Sequence, residues 1–418
     1  MVEPRLLFIS PVIPDSSKQG ASMRAFAFLQ ALSERFRIHL LLHGNMLLGP
    51  AQPIDDPVQR HCSEISRVPL DSRRDGSLFL YLRLRKYLNG LWMKYPLNRP
   101  SDWIPLTRKM KKALGENVAL QNFDVIHVFR MAMLPLASHV IAASPRARRT
   151  LDMDDIESKT RHRLCRLYQK HHEYRRARRM ANDAALYGKI EAEAVPQFGH
   201  VFVCSEKDKD FLQARYKNAT ITMVPNTVPV AEKPGIPGPG QPFTFLFLGT
   251  LDYYPNQEGI LWFANRVLPL LRKMTDHPFR LNVVGGGSLT ALRKRLTGVP
   301  EVNLVGRVPS VSPWYAQADA AIAPLRAGGG TRLKILEAFA HRRPVVSTSL
   351  GIEGVLACPE HHFLLADDAF AFARQCTRLM SDRQLCEKLS RHGLELVRER
   401  YHTGIALQII RDCFDPYG

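Results

Sequence analysis

The residues most able to do chemistry in this sequence lie in one short glycine-rich segment. It runs Gly328-Gly-Gly-Thr-Arg332-Leu-Lys334-Ile-Leu-Glu337 and leads from a loop into a helix. A glycine-rich turn at the start of a helix leaves backbone N–H groups free at the positive end of the helix dipole, which favours a bound phosphate. Arg332 and Lys334 would add two positive charges there. Glu337, about one turn further on, could accept hydrogen bonds from a ribose diol.

Short apolar runs and stretches with helical spacing alternate on both sides of this segment. Such runs predict strands, and the order strand–helix–strand is typical of parallel sheets with crossover helices. The spacing also predicts a helix over 333–340 and a strongly basic helical stretch over 159–179. The predicted strands are Leu6–Ile9, Ile38–Leu42, Asp124–His127, Arg149–Asp155, Val201–Ser205, Phe243–Gly249, Phe279–Gly285, Val302–Gly306, Ala320–Pro324 and Pro344–Ser347.

A stretch dense in proline and glycine divides this pattern in two. Residues 231–242 cannot hold a helix or a central strand, so they predict a linker. We therefore expect an α/β chain with two Rossmann-like, doubly wound domains at 1–230 and 243–400. A C-terminal helix at 401–418 is expected to cross back to the first domain. Ligands bind beyond the carboxyl ends of the strands in such folds, so the site is expected in a cleft where both domains meet.

The composition of the 418-residue chain is that of a globular protein, with 45% hydrophobic and 23% charged residues. No run reaches the roughly 18 apolar residues that span a bilayer. The short apolar run near the N-terminus predicts a first strand rather than a signal peptide. The cysteines form no CxxC pair, which predicts reduced thiols in a cytoplasmic compartment. They are Cys62, Cys165, Cys204, Cys358, Cys376, Cys386 and Cys413.

The glycine-rich segment resembles the donor-binding segment of family 4 glycosyltransferases with the GT-B fold, notably the subgroup that reads G-x-G-T-R-x-K-x-x-E-A-x-A. The likeness runs through most of the chain and is more specific in the second domain. There it includes Gly249–Asn256, Trp262-Phe, Val284–Gly287, Val305–Arg307 and Gly351–Gly354. In the first domain it includes the Gly20 loop, Asp124–His127, Val203–Glu206 and Pro225-Asn226.

The resemblance implies a retaining, hexosyl-type transferase that uses a nucleoside-diphosphate sugar without a metal, in polysaccharide or glycoconjugate assembly. Carried over by position, Arg332 and Lys334 would hold the diphosphate, Glu337 the ribose and the Gly306-Arg307 loop the nucleobase. His127 would act near the transferred sugar. The remaining donor-binding positions that the resemblance implies are Gly20, which would let the first domain approach the phosphates, and Gly249, Asn256, Gly328, Gly330, Thr331 and Glu353.

The sequence departs from the family at one position. Many members carry two glutamates eight positions apart across this turn, with the first facing the donor sugar. The position eight residues before Glu337 is Gly329, which has no side chain. Either backbone groups hold the sugar, as the neighbouring subgroup suggests, or the site is altered.

An Asp-x-Asp pattern at Asp152-Met-Asp154 is a second acidic candidate. In the single-domain GT-A architecture such a pair holds a divalent metal under the diphosphate. Here it ends a strand of the first domain, far in sequence from the phosphate turn. We therefore expect either a place near the acceptor or an ion pair with Arg161 or Arg163.

The formal net charge of +19 favours an anionic partner. Basic runs at 83–94, 109–112 and 159–179 fall in the first domain, which takes the acceptor in GT-B enzymes. They suit the inner face of an anionic membrane that carries a lipid-linked acceptor, or else form a solvated cationic face. No zinc finger, helix-turn-helix or RNP-like motif accompanies the charge, which disfavours nucleic acid.

Three other functions fit parts of the pattern. A degenerate transferase that only binds a partner protein would explain Gly329, but the retained Arg332, Lys334 and Glu337 argue against it. A GT-B sugar-nucleotide epimerase would share the donor site and need no acceptor. An NAD-dependent enzyme is disfavoured because prolines, and no G-x-G-x-x-G, follow the first strand.

Overall fold

The computed structural model of the protein describes residues 3–16, 20–43, 54–68, 100, 103, 106, 108–118, 122–230 and 242–415. The basic run at 83–94 and the predicted linker, apart from Pro242, lie outside the described residues. The chain forms two compact units. Unit 1 comprises the chain up to Pro225 together with the part from Ala406 onward, and unit 2 comprises Asn226–Ile405.

Unit 1 is built on a seven-stranded sheet. Its strands are β1 (Arg5–Ser10), β2 (Arg37–Leu42), β3 (Glu64–Arg67), β4 (Val125–Phe129), β5 (Arg148–Asp152), β6 (His200–Val203) and β7 (Ile221–Met223). They lie in the order β3-β2-β1-β4-β5-β6-β7, and every neighbouring pair is parallel. Its helices are Ala21–Leu32, Asp56–Arg60, Arg108–Asn117, Leu134–Ala143, Glu157–Lys170, Tyr174–Ala194, Glu206–Gln213 and Thr403–Phe414.

Unit 2 repeats the design with a six-stranded sheet. Its strands are β8 (Phe243–Leu248), β9 (Phe279–Val284), β10 (Val302–Gly306), β11 (Ala320–Ala323), β12 (Val345–Ser347) and β13 (Leu364-Leu365). They lie in the order β10-β9-β8-β11-β12-β13, again all parallel. Its helices are Tyr254–Trp262, Leu268–Met274, Thr290–Arg295, Ser312–Gln317, Leu333–Ala340, Ala369–Ser381 and Arg383–Arg400.

Helices cover both faces of each sheet. Successive side chains of a strand point to opposite faces, so the side chains on both sides are buried. In β8, Phe243, Phe245 and Phe247 pack into one hydrophobic cluster, whereas Leu246 and Leu248 pack into another. In β1, the side chains divide in the same way between two clusters. The continuous apolar runs read from the sequence are therefore strands buried on both faces, and the predicted α/β, doubly wound fold is confirmed.

The basic stretch and the division between the units differ from the sequence-based expectations, and the strands β3, β7 and β13 were not predicted. The basic stretch at 159–179 is not one helix, because a turn at 171–173 separates the helices Glu157–Lys170 and Tyr174–Ala194. His172 in that turn has a left-handed backbone, with a φ of 58°. The division between the units falls at Pro225, a few residues before the predicted linker, since Val228 is buried in a cluster of unit 2.

The chain returns from unit 2 to unit 1 within the helix Thr403–Phe414. Its buried side chains Ala406, Leu407, Ile410 and Phe414 pack into a hydrophobic cluster of unit 1. Within the described ranges, every helix is too short or too polar to cross a membrane.

Candidate functional site

The carboxyl edge of the unit 2 sheet gathers the glycine-rich loops that the sequence analysis singled out. The strand order reverses between β8 and β11, which is the switch point where doubly wound sheets bind ligands. Gly249 follows β8, and the turn that contains Gly328 follows β11. The loops after β9, β10 and β12 begin at Gly285, Arg307 and Thr348 and end at the same edge of this parallel sheet.

The turn after β11 uses glycine where other residues would be strained. Gly328 and Gly330 have φ values of 118° and 66°, which L side chains rarely adopt. A Cβ atom on Gly328 would lie 3.0 Å from Nη2 of Arg332 and 3.1 Å from the hydroxyl of Tyr253. The bare glycine thus leaves room for the guanidinium of Arg332 beside the turn.

Arg332 is the most deeply placed cation of this turn, with only 7% of the residue exposed. Its Nη1 donates to the carbonyl of Gly329, and its Nε donates to the carbonyl of Leu350 at 3.4 Å. Its Nη2 is buried and has no hydrogen-bond partner in the described part of the chain. A buried donor without an acceptor costs about 1–3 kcal/mol, and a ligand oxygen within hydrogen-bond distance of this atom would remove that cost.

Lys334 lies in the first turn of the helix Leu333–Ala340 and is fixed by Asn256. Its Nζ donates to Oδ1 of Asn256 at 2.8 Å and lies 4.2 Å from the centre of the Phe247 ring. Asn256 in turn donates to the carbonyl of Thr250 at 2.7 Å. A Cβ atom on Gly249 would lie 2.9 Å from Nζ, so this glycine makes room for the ammonium.

Burial, reinforced by the charge of Arg332, lowers the pKa of Lys334 to about 7, although Glu337 opposes the shift. At neutral pH this amine is therefore balanced between its charged and neutral forms. An anion that binds beside it would restore the full positive charge.

Glu337 stands one turn further along the same helix and is also buried, with 7% of the residue exposed. The hydroxyl of Tyr315 lies 3.4 Å from its Oε2 and 3.1 Å from the carbonyl of Lys334. His341 stacks on the Tyr315 ring with centroids 4.5 Å apart. Burial raises the pKa of Glu337 to about 8, against the lowering effects of Tyr315 and Lys334.

The loops after β9 and β10 pack against the loop after β8, which begins at Gly249. The N–H of Gly285 donates to the carbonyl of Gly306 at 2.8 Å. A Cβ atom on Gly285 would lie 1.9 Å from the carbonyl oxygen of Gly249, so only glycine permits this approach. Arg307 is exposed, and its Nε would lie 3.1 Å from a Cβ on Gly286. The side chain of Arg307 thus covers the loop next to Gly249.

Residues 242–382, which carry all of these loops, match the family model described as glycosyl transferases group 1. Unit 2 contains a glycosyltransferase group 1 domain. A protein described as an uncharacterized 44.6 kDa protein in the cps region of Klebsiella pneumoniae is 26% identical over 166 residues. That match covers 38% of this chain and 42% of the relative, so this chain spans less than half of the relative's length.

Solved structures resemble the whole chain and not only the group 1 domain. Sucrose-phosphate synthase from Thermosynechococcus elongatus has a TM-score of 0.66 at 17% identity, covering 99% of this chain and 100% of that one. HepE from Anabaena, solved in complex with UDP and glucose, has a TM-score of 0.66 at 13% identity and covers 99% of both chains. These likenesses establish the GT-B fold.

The group 1 domain thus brings together most of the residues predicted for the donor. Gly249, Asn256, Gly328, Arg332, Lys334 and Glu337 are linked by the contacts described above, and Gly330 and Thr331 belong to the same turn. Glu353 is partly buried in the loop after β12, at the same edge. Sequence reasoning missed Phe247, Tyr253 and Tyr315, which support Lys334, Gly328 and Glu337; their aromatic character was the only local signal.

At the carboxyl edge of unit 1, the Asp-x-Asp carboxylates form ion pairs with Arg24 and Arg130. Nε of Arg24 donates to both carboxylate oxygens of Asp152, at 2.8 and 3.0 Å. Nη2 of Arg130 donates to Asp154 at 2.6 Å. Arg161 pairs with Glu157 at 3.0 Å. Among the described residues, no group of three or more His, Cys, Asp or Glu side chains is placed to hold a metal.

Gly20 begins the helix Ala21–Leu32, beside the point where the unit 1 strand order reverses between β1 and β4. Its φ of 71° belongs to the left-handed region. A Cβ atom there would meet nothing within 4 Å. The glycine is therefore required by the backbone conformation rather than by crowding within unit 1.

His127 does not end its strand, and that expectation was wrong. β4 continues to Phe129, and His127 is fully buried at its centre. Its ring lies 4.8 Å from the rings of both Phe8 and Phe28, and its Nδ1 lies 2.8 Å from the hydroxyl of Thr150. A histidine enclosed in this way belongs to the core of unit 1, so we do not carry it into the proposed catalytic site.

The buried His127 should make unit 1 sensitive to acid. Burial, reinforced by Arg24, lowers its pKa to about 3, so below pH 6.5 only the unfolded chain takes up the proton. Stability from this group is present above pH 6.5 and is lost as the pH falls toward 3. We expect a loss of about 2 kcal/mol between pH 7 and 5. Urea unfolding of His127→Phe should lack that loss, whereas His162→Phe, at an exposed site, should keep it. Equal losses in all three proteins would contradict the assignment.

Proposed function

We propose that this protein is a retaining glycosyltransferase that moves a hexosyl group from a nucleoside-diphosphate sugar to an acceptor hydroxyl. The diphosphate would bind at the turn after β11, between Arg332 and Lys334, and Glu337 would hold the ribose. The loop at Gly306-Arg307 would take the nucleobase. The acceptor would be a glycan or a lipid-linked chain in polysaccharide or glycoconjugate assembly.

The observation that carries the proposal is the buried Nη2 of Arg332, which has no hydrogen-bond partner among the described residues. Arg332 is the N-cap of the helix Leu333–Ala340, a second cation, Lys334, lies in the first turn of that helix, and the helix follows the switch point of the sheet. A helix N-terminus attracts anions, and two cations match the charge of a diphosphate. The group 1 domain supports a glycosyltransferase reaction, and in our proposal a nucleoside diphosphate is the leaving group.

This arrangement supports departure of a nucleoside diphosphate by electrostatics. Negative charge grows on the leaving phosphate oxygen as the glycosidic bond breaks. Preorganised N–H groups and cations stabilise such charge without having to reorganise. Because Arg332 and Lys334 supply the charge that a divalent ion supplies elsewhere, we propose that the enzyme works without a metal. The Asp152 and Asp154 carboxylates are engaged by Arg24 and Arg130, which fits that proposal.

The first test is a thermal-shift screen of the full-length protein against UDP, GDP, ADP, TDP and NAD, with and without EDTA. We expect one nucleoside diphosphate to raise the melting temperature of unit 2, and we expect EDTA to leave that rise unchanged. UDP is the first candidate because HepE was solved with UDP and glucose. A rise that EDTA abolishes would contradict the metal-free proposal. If only NAD raises the melting temperature, or if no ligand raises it, the proposed donor site would be contradicted.

The stereochemical outcome needs a separate measurement. Once a donor has been found, the anomeric configuration of the product is compared with that of the donor sugar by NMR. Retention is the expected result, and an inverted product would overturn that part of the proposal alone. Gly329 has no side chain to place against the sugar, so we expect backbone groups of the turn to make that contact.

A further inference from the structure

The helices Glu157–Lys170 and Tyr174–Ala194 of unit 1 form an antiparallel hairpin. At its base, Ser158 donates from its backbone N–H and its hydroxyl to Glu191, at 3.0 and 2.5 Å. Near its other end, the guanidinium of Arg176 lies 5.7 Å from the Tyr168 ring. These contacts align the start of the first helix with the end of the second.

The hairpin points away from the sheet. Its base lies at the carboxyl edge, because Lys159 pairs at 2.7 Å with Asp208 in the first turn of the helix that follows β6. The second helix leads down to the start of β6 at His200, so the first helix must run in the opposite direction. With a rise of 1.5 Å per residue, Lys170 stands about 18 Å beyond Ser158.

Positive charge is concentrated at the outer end of this hairpin. We call residues 166–179 the cationic tip; it carries six Lys and Arg side chains and a single carboxylate, Glu173. Glu173 pairs with Arg176 at 2.7 Å. The other cations are exposed and form no ion pair with any described residue. They are Arg166, Lys170, Arg175, Arg178 and Arg179.

Two cations near the base are neutralised, in contrast to most of those at the tip. Lys159 pairs with Asp208, and Arg161 pairs with Glu157. Charge placement therefore divides the hairpin into an anchored base and an outward cationic end. The tip also carries Tyr174, whose exposed fraction of 64% is the greatest among the large hydrophobic side chains exposed in the described residues.

We propose that the cationic tip docks this protein on the surface of an anionic lipid bilayer. Each Lys or Arg close to such a surface contributes to binding, and tyrosine favours the boundary between headgroups and acyl chains. The tip projects beyond the carboxyl edge of the unit 1 sheet, so a planar anionic surface can reach its exposed cations and Tyr174 together. Docking in this way turns the carboxyl edge of the unit 1 sheet toward the membrane.

The test is co-sedimentation of the full-length protein with vesicles of phosphatidylcholine, alone or mixed with phosphatidylglycerol. The tip variant changes Arg175, Arg178, Arg179 and Lys170 to glutamine. A matched control makes the same change of charge on unit 2, at exposed positions of the helix Arg383–Arg400. The control positions are Lys388, Arg391, Arg398 and Arg400. The melting temperatures of both variants are compared with that of the unchanged protein.

We expect binding only to the anionic vesicles, weakened by NaCl and reduced at least roughly tenfold in the tip variant. The control variant should bind like the unchanged protein, and both variants should keep their melting temperatures. Equal losses in the two variants would show that net charge alone drives binding and would overturn the proposal. The proposal would also be overturned if the unchanged protein bound heparin or duplex DNA more tightly than anionic vesicles at the same salt concentration, with the tip variant losing that binding.

Discussion

Arg332→Ala is expected to weaken the binding of the matching nucleoside diphosphate by roughly 10- to 150-fold, or about 1.5–3 kcal/mol. The guanidinium is buried, and its Nη2 has no acceptor among the residues that the structure describes. Removal of the side chain takes away a charge-assisted hydrogen bond in a poorly solvated place, where such bonds are strongest. Isothermal titration calorimetry with the nucleotide found in the thermal-shift screen measures the effect.

Two further variants separate this effect from a general loss of structure. Arg374→Ala removes an exposed arginine from another helix of unit 2 and should bind normally. Arg332→Lys should recover only part of the affinity, because one ammonium cannot supply the fork of donors that a guanidinium supplies. Unchanged affinity in Arg332→Ala, with a normal melting temperature, would contradict the proposed diphosphate site.

The second large effect is expected from pH. The pKa of Lys334 in the free protein is about 7, so above pH 7 the amine must take up a proton before it can pair with the diphosphate. The dissociation constant should therefore rise by roughly fivefold between pH 7 and 8 and by roughly 50-fold between pH 7 and 9. Below pH 7 the remaining neutral amine becomes protonated, so the affinity contributed by Lys334 rises by no more than about another twofold.

Lys334→Arg is the matched control for this dependence. A guanidinium stays charged throughout the range, so the variant should lose most of the decline. Glu337, whose pKa is about 8, ionises in the same window and becomes a better acceptor for ribose hydroxyls. Its effect runs in the opposite direction and is shared by both proteins, so the comparison isolates Lys334. Identical slopes in the two proteins would contradict the assignment.

The candidate site lies in a region where the local sequence predicted the secondary structure well. The helix from Leu333 and the strands β8 to β12 of unit 2 lie within a residue or two of the predicted ones, because glycines and apolar runs act over a few residues. The short strand β13 was not predicted. The order of Arg332, Lys334 and Glu337 along one turn also follows from local spacing. Their convergence on one helix terminus could be predicted for that reason.

Contacts between distant segments could not be predicted in this way. Asn256 and Lys334 are 78 positions apart, and they meet because β8 and β11 are neighbours at the switch point. Arg24 and Asp152 are 128 positions apart and meet across the corresponding point of unit 1. Such pairs depend on the order of strands in the sheet, and the pattern of one sequence does not specify that order.

His127 and the cationic tip show the same division. Local spacing and composition predict that His127 lies in an apolar strand and that residues 159–179 are basic and helical. The packing of the folded chain encloses the imidazole with rings from β1 and from the helix Ala21–Leu32. The structure likewise broke the basic stretch at 171–173 and paired its inner cations with carboxylates. Hydrophobic spacing specifies which faces are buried, whereas packing between elements decides which polar groups are buried and which remain at the surface.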